Sequence, residues 1–322
     1  MVSTETSEPA VCNRSQAIAA ACVFLFLIAI GLLAYWHPLY IADTVVRLKL
    51  RAAGVDSRFT QVGSYRVHYF VGGKGKPLVL IHGLGARSDD WAPEIPGYVK
   101  HGFRVYALDL LGYGETSHPD IAYTMQQQAD FVDGFMTAMH LPKADVAGWS
   151  MGGWIALELA LHHPQRVERL VLMDSAGLTF KVNFNPNIFT PVTTRQLAQL
   201  WGRLTPNPKP LPSFLARAIL RRINKGSWVI HRTISVMQTR RELLDGQLTK
   251  IHVPVLIVWG AQDRLIPPSS GEQMHLEIPH SVLELFQGCG HIAPANCASQ
   301  IVPHVRQFLD SRPAMAGGTY QY

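Results

Sequence analysis

The stretch Gly148-Trp149-Ser150-Met151-Gly152-Gly153 constrains this chain more than any other. It follows an apolar run, Ala144 to Ala147, that reads as a buried strand, and it precedes Trp154 to Leu161, which reads as a helix. A serine at the apex of a tight strand-to-helix turn has its hydroxyl lifted clear of the sheet. Glycines are needed at 148 and 152 because a side chain at either place would crowd the turn or the adjacent backbone. The amide of Met151, first in the helix, can point at an oxygen that turns negative during acyl transfer. The bland alternative is a Gly-rich turn with no chemistry. The strand before, the helix after and the partners downstream favour a nucleophile, Ser150.

Partners follow in a fixed order. Val253 to Trp259 reads as a strand and runs into Gly260-Ala261-Gln262-Asp263-Arg264-Leu265-Ile266-Pro267. Ser281 to Phe286 reads as the last core strand and runs into Gly288-Cys289-Gly290-His291. Loops that follow parallel strands gather at one edge of the sheet, so Ser150, Asp263 and His291 can converge as nucleophile, acid and base. Asp174 also follows a strand and is the rival for the acid. The second oxyanion amide is assigned to Leu84, in the loop His82-Gly83-Leu84-Gly85 that follows the apolar strand Pro77 to Ile81. His82 is expected to be a hydrogen-bonding residue of that loop, and Asp109, after the strand Phe103 to Leu108, to tie down the next one.

Other function classes recede. No His, Cys, Asp or Glu set has metal-ligand spacing, and no metal or cofactor is called for. No basic-plus-aromatic array suggests nucleic acid. The net charge of +6 is localised. Between Leu178 and Lys250 twelve Lys and Arg face only Glu242 and Asp245, so the rest of the chain is net acidic. Of the four cysteines, Cys12, Cys22, Cys289 and Cys297, the last two flank His291 and can pair, but a reduced pair is expected.

Ala17 to Trp36 contains no charge and is long enough for one helix across about 30 Å of hydrocarbon. A secretory signal peptide would have a shorter apolar core and a small-x-small cleavage site, so an uncleaved anchor is the expectation. Arg47, Lys49 and Arg51 after the span place the large domain in the cytoplasm by the positive-inside rule. Leu39 to Leu50 reads either as an amphipathic link on the membrane surface or as a plain connector.

Strand-helix alternation fails between Leu178 and Leu248, which reads as an inserted cap of helices. Ser213 is expected to cap a helix through Ile223, stopped by Gly226. Its basic face, Arg217, Arg221 and Lys225, suits either an anionic bilayer or plain solvation. The predicted organisation is a tail (1–16), a transmembrane anchor (17–36), a juxtamembrane linker (37–57), an α/β core (58–177 and 249–310), a helical cap (178–248) and a loose tail (311–322).

At these residues the sequence resembles the α/β-hydrolase superfamily over most of Tyr65 to Leu309, a mostly parallel sheet flanked by helices with an inserted helical cap. Asp109-Leu110-Leu111-Gly112-Tyr113-Gly114, the Ser150 turn and Asp174-Ser175-Ala176-Gly177 resemble capped bacterial lipases and esterases. The anchor ahead of such a domain resembles membrane-anchored monoacylglycerol lipases. The resemblance implies ester hydrolysis through an acyl-serine, without a cofactor, on an apolar ester or acylglycerol, with the membrane as partner through the N-terminal helix and the basic cap. Carbon–carbon bond hydrolases of aromatic degradation share the Ser-Met-Gly-Gly turn and stand as the alternative, beside a tethered binding protein without catalysis.

Overall fold

The computed structural model describes residues 14–311 and 317–322. In chain order its elements are α1 (Arg14–Trp36), α2 (Pro38–Ala52), β1 (Val55–Val62), β2 (Tyr65–Gly72), β3 (Lys76–Ile81), α3 (Ile95–Val99), β4 (Phe103–Leu108), α4 (Met125–Ala138), β5 (Ala144–Trp149), α5 (Met151–His162) and β6 (Val167–Met173). Then come α6 (Thr194–Leu204), α7 (Ser213–Gln238), β7 (Val255–Gly260), α8 (Pro268–Glu277), β8 (Ser281–Phe286), α9 (Ala293–Asn296), α10 (Ala298–Asp310) and β9 (Thr319–Gln321).

One nine-stranded sheet runs β1-β2-β4-β3-β5-β6-β7-β8-β9. β2 pairs antiparallel with β1 and β4, and every other neighbour is parallel. The central strands are apolar on both faces because helices cover both. Leu78, Val79, Leu80 and Ile81 of β3 are all fully buried. One face packs on α4 and α5 through residues such as Phe135, Ile155 and Leu159. The other packs on α3 and α10 through Tyr98, Ile301 and Phe308. This is the architecture that the resemblance implied, and it brings the loops after β3, β5, β7 and β8 to one edge.

Several boundaries differ from expectation. The strand β1 starts at Val55, inside the stretch read as linker; it forms a hairpin with β2, and Val55 is 1% exposed. The tail read as loose ends in β9, which pairs with β8; Tyr322 N–H donates to the Leu285 carbonyl and its carbonyl accepts from Gln287 N–H. Tyr322 also packs on His304, ring centroids 4.2 Å apart, so the tail covers what would be a bare sheet edge. The helix α7 does not stop at Gly226 but continues to Gln238, and Ser213 is its first residue rather than its cap. A glycine inside a helix costs about 1 kcal/mol. Burial of Val229, Ile230 and Ile234 beyond it exceeds that cost.

Cys289 and Cys297 form a disulfide, correcting the expected reduced pair. Their Cα atoms lie 6.1 Å apart across a sequence separation of 8, within bridging range. Nor is α2 a plain connector. Leu50 enters the core, and Asp43 accepts hydrogen bonds from Arg87 (2.6 Å) and from both terminal nitrogens of Arg222 (3.1 and 2.6 Å). Arg47 pairs with Glu115. The amphipathic helix thus binds the loop after β3 and the cap at once.

Candidate active site

The strand β5 delivers Ser150 into a turn that few side chains tolerate. Its φ is +56° and its ψ −120°, and the chain enters α5 at the next residue. A Cβ at Gly148 would lie 2.2 Å from the Gly152 carbonyl oxygen, and one at Gly152 would lie 2.2 Å from that of Ile81. Both glycines are therefore demanded by backbone contact around the turn. Ser150 N–H donates to the Met173 carbonyl and its own carbonyl accepts from Ala176 N–H, which locks the turn to the end of β6.

His291 and Asp263 arrive from the loops after β8 and β7. His291 Nε2 is 2.8 Å from Ser150 Oγ, and Nδ1 is 2.8 Å from Asp263 Oδ2. A carboxylate accepts only, so Nδ1 carries the hydrogen and Nε2 is left to accept from the serine hydroxyl. Asp263 is aimed by its own turn: Oδ1 accepts from the amides of Leu265 (2.7 Å) and Ile266 (3.0 Å). His291 and Asp263 are both buried. The three residues singled out in the sequence are brought into one hydrogen-bonded chain.

The rival acid takes another place. Asp174, fully buried at the end of β6, accepts from Gly260 N–H at 2.7 Å and does not contact His291. Burial and the nearby charge of Asp263 push its carboxyl well above the usual carboxylate range.

Leu84 and Met151 line the same cavity as Ser150 and His291. Among the described residues neither of their amides has a protein acceptor. Two unpaired N–H groups beside the serine are the arrangement that an oxyanion requires. His82 stays out of the chemistry: Nδ1–H donates to the Gly83 carbonyl at 2.8 Å and Nε2 accepts from Leu110 N–H at 3.1 Å. Burial lowers its pKa, so the ring is a neutral brace. Asp109 braces the next loop through Ser88 N–H (2.7 Å), Glu115 N–H (2.9 Å) and His68 Nδ1 (2.8 Å). Burial alone would raise its pKa, but the bond and charge of His68 hold it below the ordinary value.

Two site neighbours escaped the sequence reading. Trp149 Nε1–H donates to the His291 carbonyl at 2.7 Å, tying the His291 loop to β5. Tyr113 OH lies 3.1 Å from Thr233 Oγ1 and 3.9 Å from Met151 sulfur, linking α7 to the floor. Nothing in the local pattern marks either residue, because the hydrogen bonds to His291 and Thr233 reach more than a hundred positions along the chain.

The cavity above Ser150 measures about 1420 Å³. Its walls include Phe180, Leu200, Ile219, Ile230 and Ile234 from the segment between β6 and β7, and Leu39 from α2. Among the described residues no cluster suits a metal ion.

Similarity to known proteins agrees with this geometry. A solved structure of a membrane phospholipase A, described as a bacterial virulence factor, superposes with a TM-score of 0.80 at 29% identity, covering 93% of this chain and 100% of that one. A putative lipase from Acinetobacter baumannii AYE superposes with a TM-score of 0.76 at 23% identity, covering 83% of this chain and 95% of that one. In sequence, the 2-hydroxy-6-oxo-6-(2'-aminophenyl)hexa-2,4-dienoic acid hydrolase of Metapseudomonas resinovorans is 30% identical over 268 residues, 79% of this chain and 91% of the relative. The profile of the Alpha/beta hydrolase family matches residues 78–302. The chain belongs to the alpha/beta hydrolase family.

Proposed function

We propose that this chain is a membrane-tethered serine hydrolase that cleaves carboxylic esters of apolar acyl groups. One observation carries the reading: a hydrogen-bonded Ser150–His291–Asp263 chain at the floor of a large apolar cavity whose wall includes the helix next to the anchor. In this mechanism His291 Nε2 takes the Ser150 proton as Oγ attacks the ester carbonyl. The tetrahedral oxygen is held by the amides of Leu84 and Met151. The proton passes to the leaving alcohol, and water then attacks the acyl-serine by the same route. Asp263 keeps the imidazole in its tautomer and stabilises the imidazolium.

The tether rests on α1. Its segment Gln16–Leu33 has a mean hydropathy of 2.6, and none of it is buried by the rest of the chain. At 1.5 Å per residue, such a helix spans about 30 Å of hydrocarbon with its flanks. The likeness to the membrane phospholipase A, which covers 93% of this chain with the anchor region included, supports a lipid ester. The proposed organisation is anchor, α/β core and a cap between β6 and β7. The Cys289–Cys297 disulfide favours an oxidising compartment for the core, against the cytoplasmic side suggested by Arg47, Lys49 and Arg51.

The test is a p-nitrophenyl ester series, acetate to palmitate, with the detergent-solubilised protein and Ser150→Ala beside it. Activity that peaks with medium or long acyl chains and disappears in the variant is the expected result. Turnover of an aromatic meta-cleavage diketone acid faster than any ester would replace this reading with carbon–carbon hydrolysis. Failure of Ser150 to react with a serine-directed phosphonate would replace it with a binding role.

A further inference from the structure

The cap helix α7 is polarised along its length. Its C-terminal half lies over the catalytic floor, where Thr233 meets Tyr113 and Ile230 approaches the loop of Gly85. Its N-terminal half lies against the anchor: the Phe214 ring is 5.6 Å from that of Tyr35, and Arg222 binds Asp43 of α2. Leu39 of α2 and Arg221, Arg222, Ile223, Lys225 and Gly226 of α7 line the cavity as well. The cavity therefore runs from Ser150 towards a basic rim at the junction of anchor and cap.

The cations of that rim are unequal. Arg222 and Arg87 are neutralised together by Asp43, and Arg87 also by Asp89. Arg221 and Lys225 stand one helical turn apart on the same face, both line the cavity, and neither has a carboxylate partner among the described residues. An apolar cavity with two unneutralised cations at its rim complements a molecule with an apolar tail and an anionic head. Lys225 precedes Ile230 by five residues, about 7.5 Å along the helix axis.

Building on the ester-hydrolase reading, the geometry points to a head-group subsite in which Arg221 and Lys225 hold the phosphate of an acyl amphiphile while its ester lies at Ser150. A neutral glyceride would leave both cations as they stand in water; a phosphate gains charge-assisted hydrogen bonds from both. The site thus selects anionic acyl lipids over neutral acylglycerols of the same chain length.

The experiment compares 1-oleoylglycerol 3-phosphate with 1-oleoylglycerol in nonionic mixed micelles, using the full-length protein. The wild type should favour the phosphate lipid by about tenfold or more in kcat/KM, the scale of one charge-assisted hydrogen bond. Arg221→Gln with Lys225→Gln should remove the preference through KM, leave p-nitrophenyl butyrate turnover unchanged, and regain part of it when Lys225→Arg replaces Lys225→Gln. Equal turnover of the two lipids by the wild type, or a preference that survives in the double variant, overturns the subsite while the ester reading stands. Binding of both lipids to Ser150→Ala decides the question independently of turnover. Tighter binding of the phosphate lipid, weakened by the double substitution, supports the subsite even if no ester is cleaved. Displacement of that lipid by millimolar inorganic phosphate would reassign it to free phosphate.

Discussion

The effect of replacing Glu94 with glutamine should turn from a loss of stability in acid to a gain in alkali. Glu94 is fully buried ahead of α3, where Oε2 accepts from Tyr98 OH at 2.6 Å and Oε1 has no partner. Burial pushes its carboxyl from 4.5 up to about 8, and the Tyr98 bond offsets only part of that. The sign follows from linkage. Below pH 4.5 both folded and unfolded chains hold the proton. Between 4.5 and about 8 only the folded chain holds it, so stability falls by about 1.4 kcal/mol per pH unit. Above the folded value the loss levels off at about 5 kcal/mol. Glutamine does not titrate, but it leaves amide hydrogens unpaired, a cost of about 2 kcal/mol at every pH. The two stability curves should therefore cross near about pH 6, with Glu94→Gln less stable at pH 5 and more stable by about 3 kcal/mol at pH 8. Urea unfolding followed by tryptophan fluorescence at each pH measures the difference. Carboxyls common to both proteins, such as Asp145 at about 6 and Glu158 at about 7, cancel in it. A difference that stays constant from pH 5 to 8 would refute the buried neutral carboxyl.

Three further outcomes are expected. Asp263→Asn should lower kcat by roughly 10⁴-fold with the fold intact, since an amide can present its N–H to His291 Nδ1 and reverse the tautomer; activity within tenfold of wild type would move the acid's role elsewhere. Gly148→Ala should destabilise the protein by about 3 kcal/mol or more, because its Cβ meets the Gly152 carbonyl oxygen at 2.2 Å and backbone cannot step aside; an unchanged melting temperature would contradict the packing of the turn. Cys289→Ser with Cys297→Ser should cost about 2.5 kcal/mol of stability from loop closure and lower kcat more than it raises KM, since the bridge closes the loop that carries His291. Maleimide should leave Cys289 and Cys297 unlabelled without reductant, and labelling of both would show that no bridge forms.

Much of the chemistry was legible because it is local. The Ser150 turn, the strand before it and the helix after it lie in one window, and each glycine there answers a contact within the turn or with the adjacent strand. The order Ser150, Asp263, His291 was readable because parallel strands put their following loops at one edge whatever the sequence separation. The preference for Asp263 over Asp174 came from the turn before Leu265-Ile266-Pro267; in the structure that turn grips Asp263, while Asp174 binds Gly260 N–H instead.

The remainder belongs to tertiary structure. Gly226 and Ser213 carried standard helix signals, and the packing of α7 overrode them. The tail had too little apolar surface to order itself, yet it became a strand because β8 offered an unpaired edge. The meeting of Asp43, Arg87 and Arg222 joins three segments that are distant in sequence, and with it the basic rim of the cavity. Residue types and periodicity determine what each segment can do alone. Which distant charges meet, and therefore which are left unpaired for a ligand, is decided only when the chain packs.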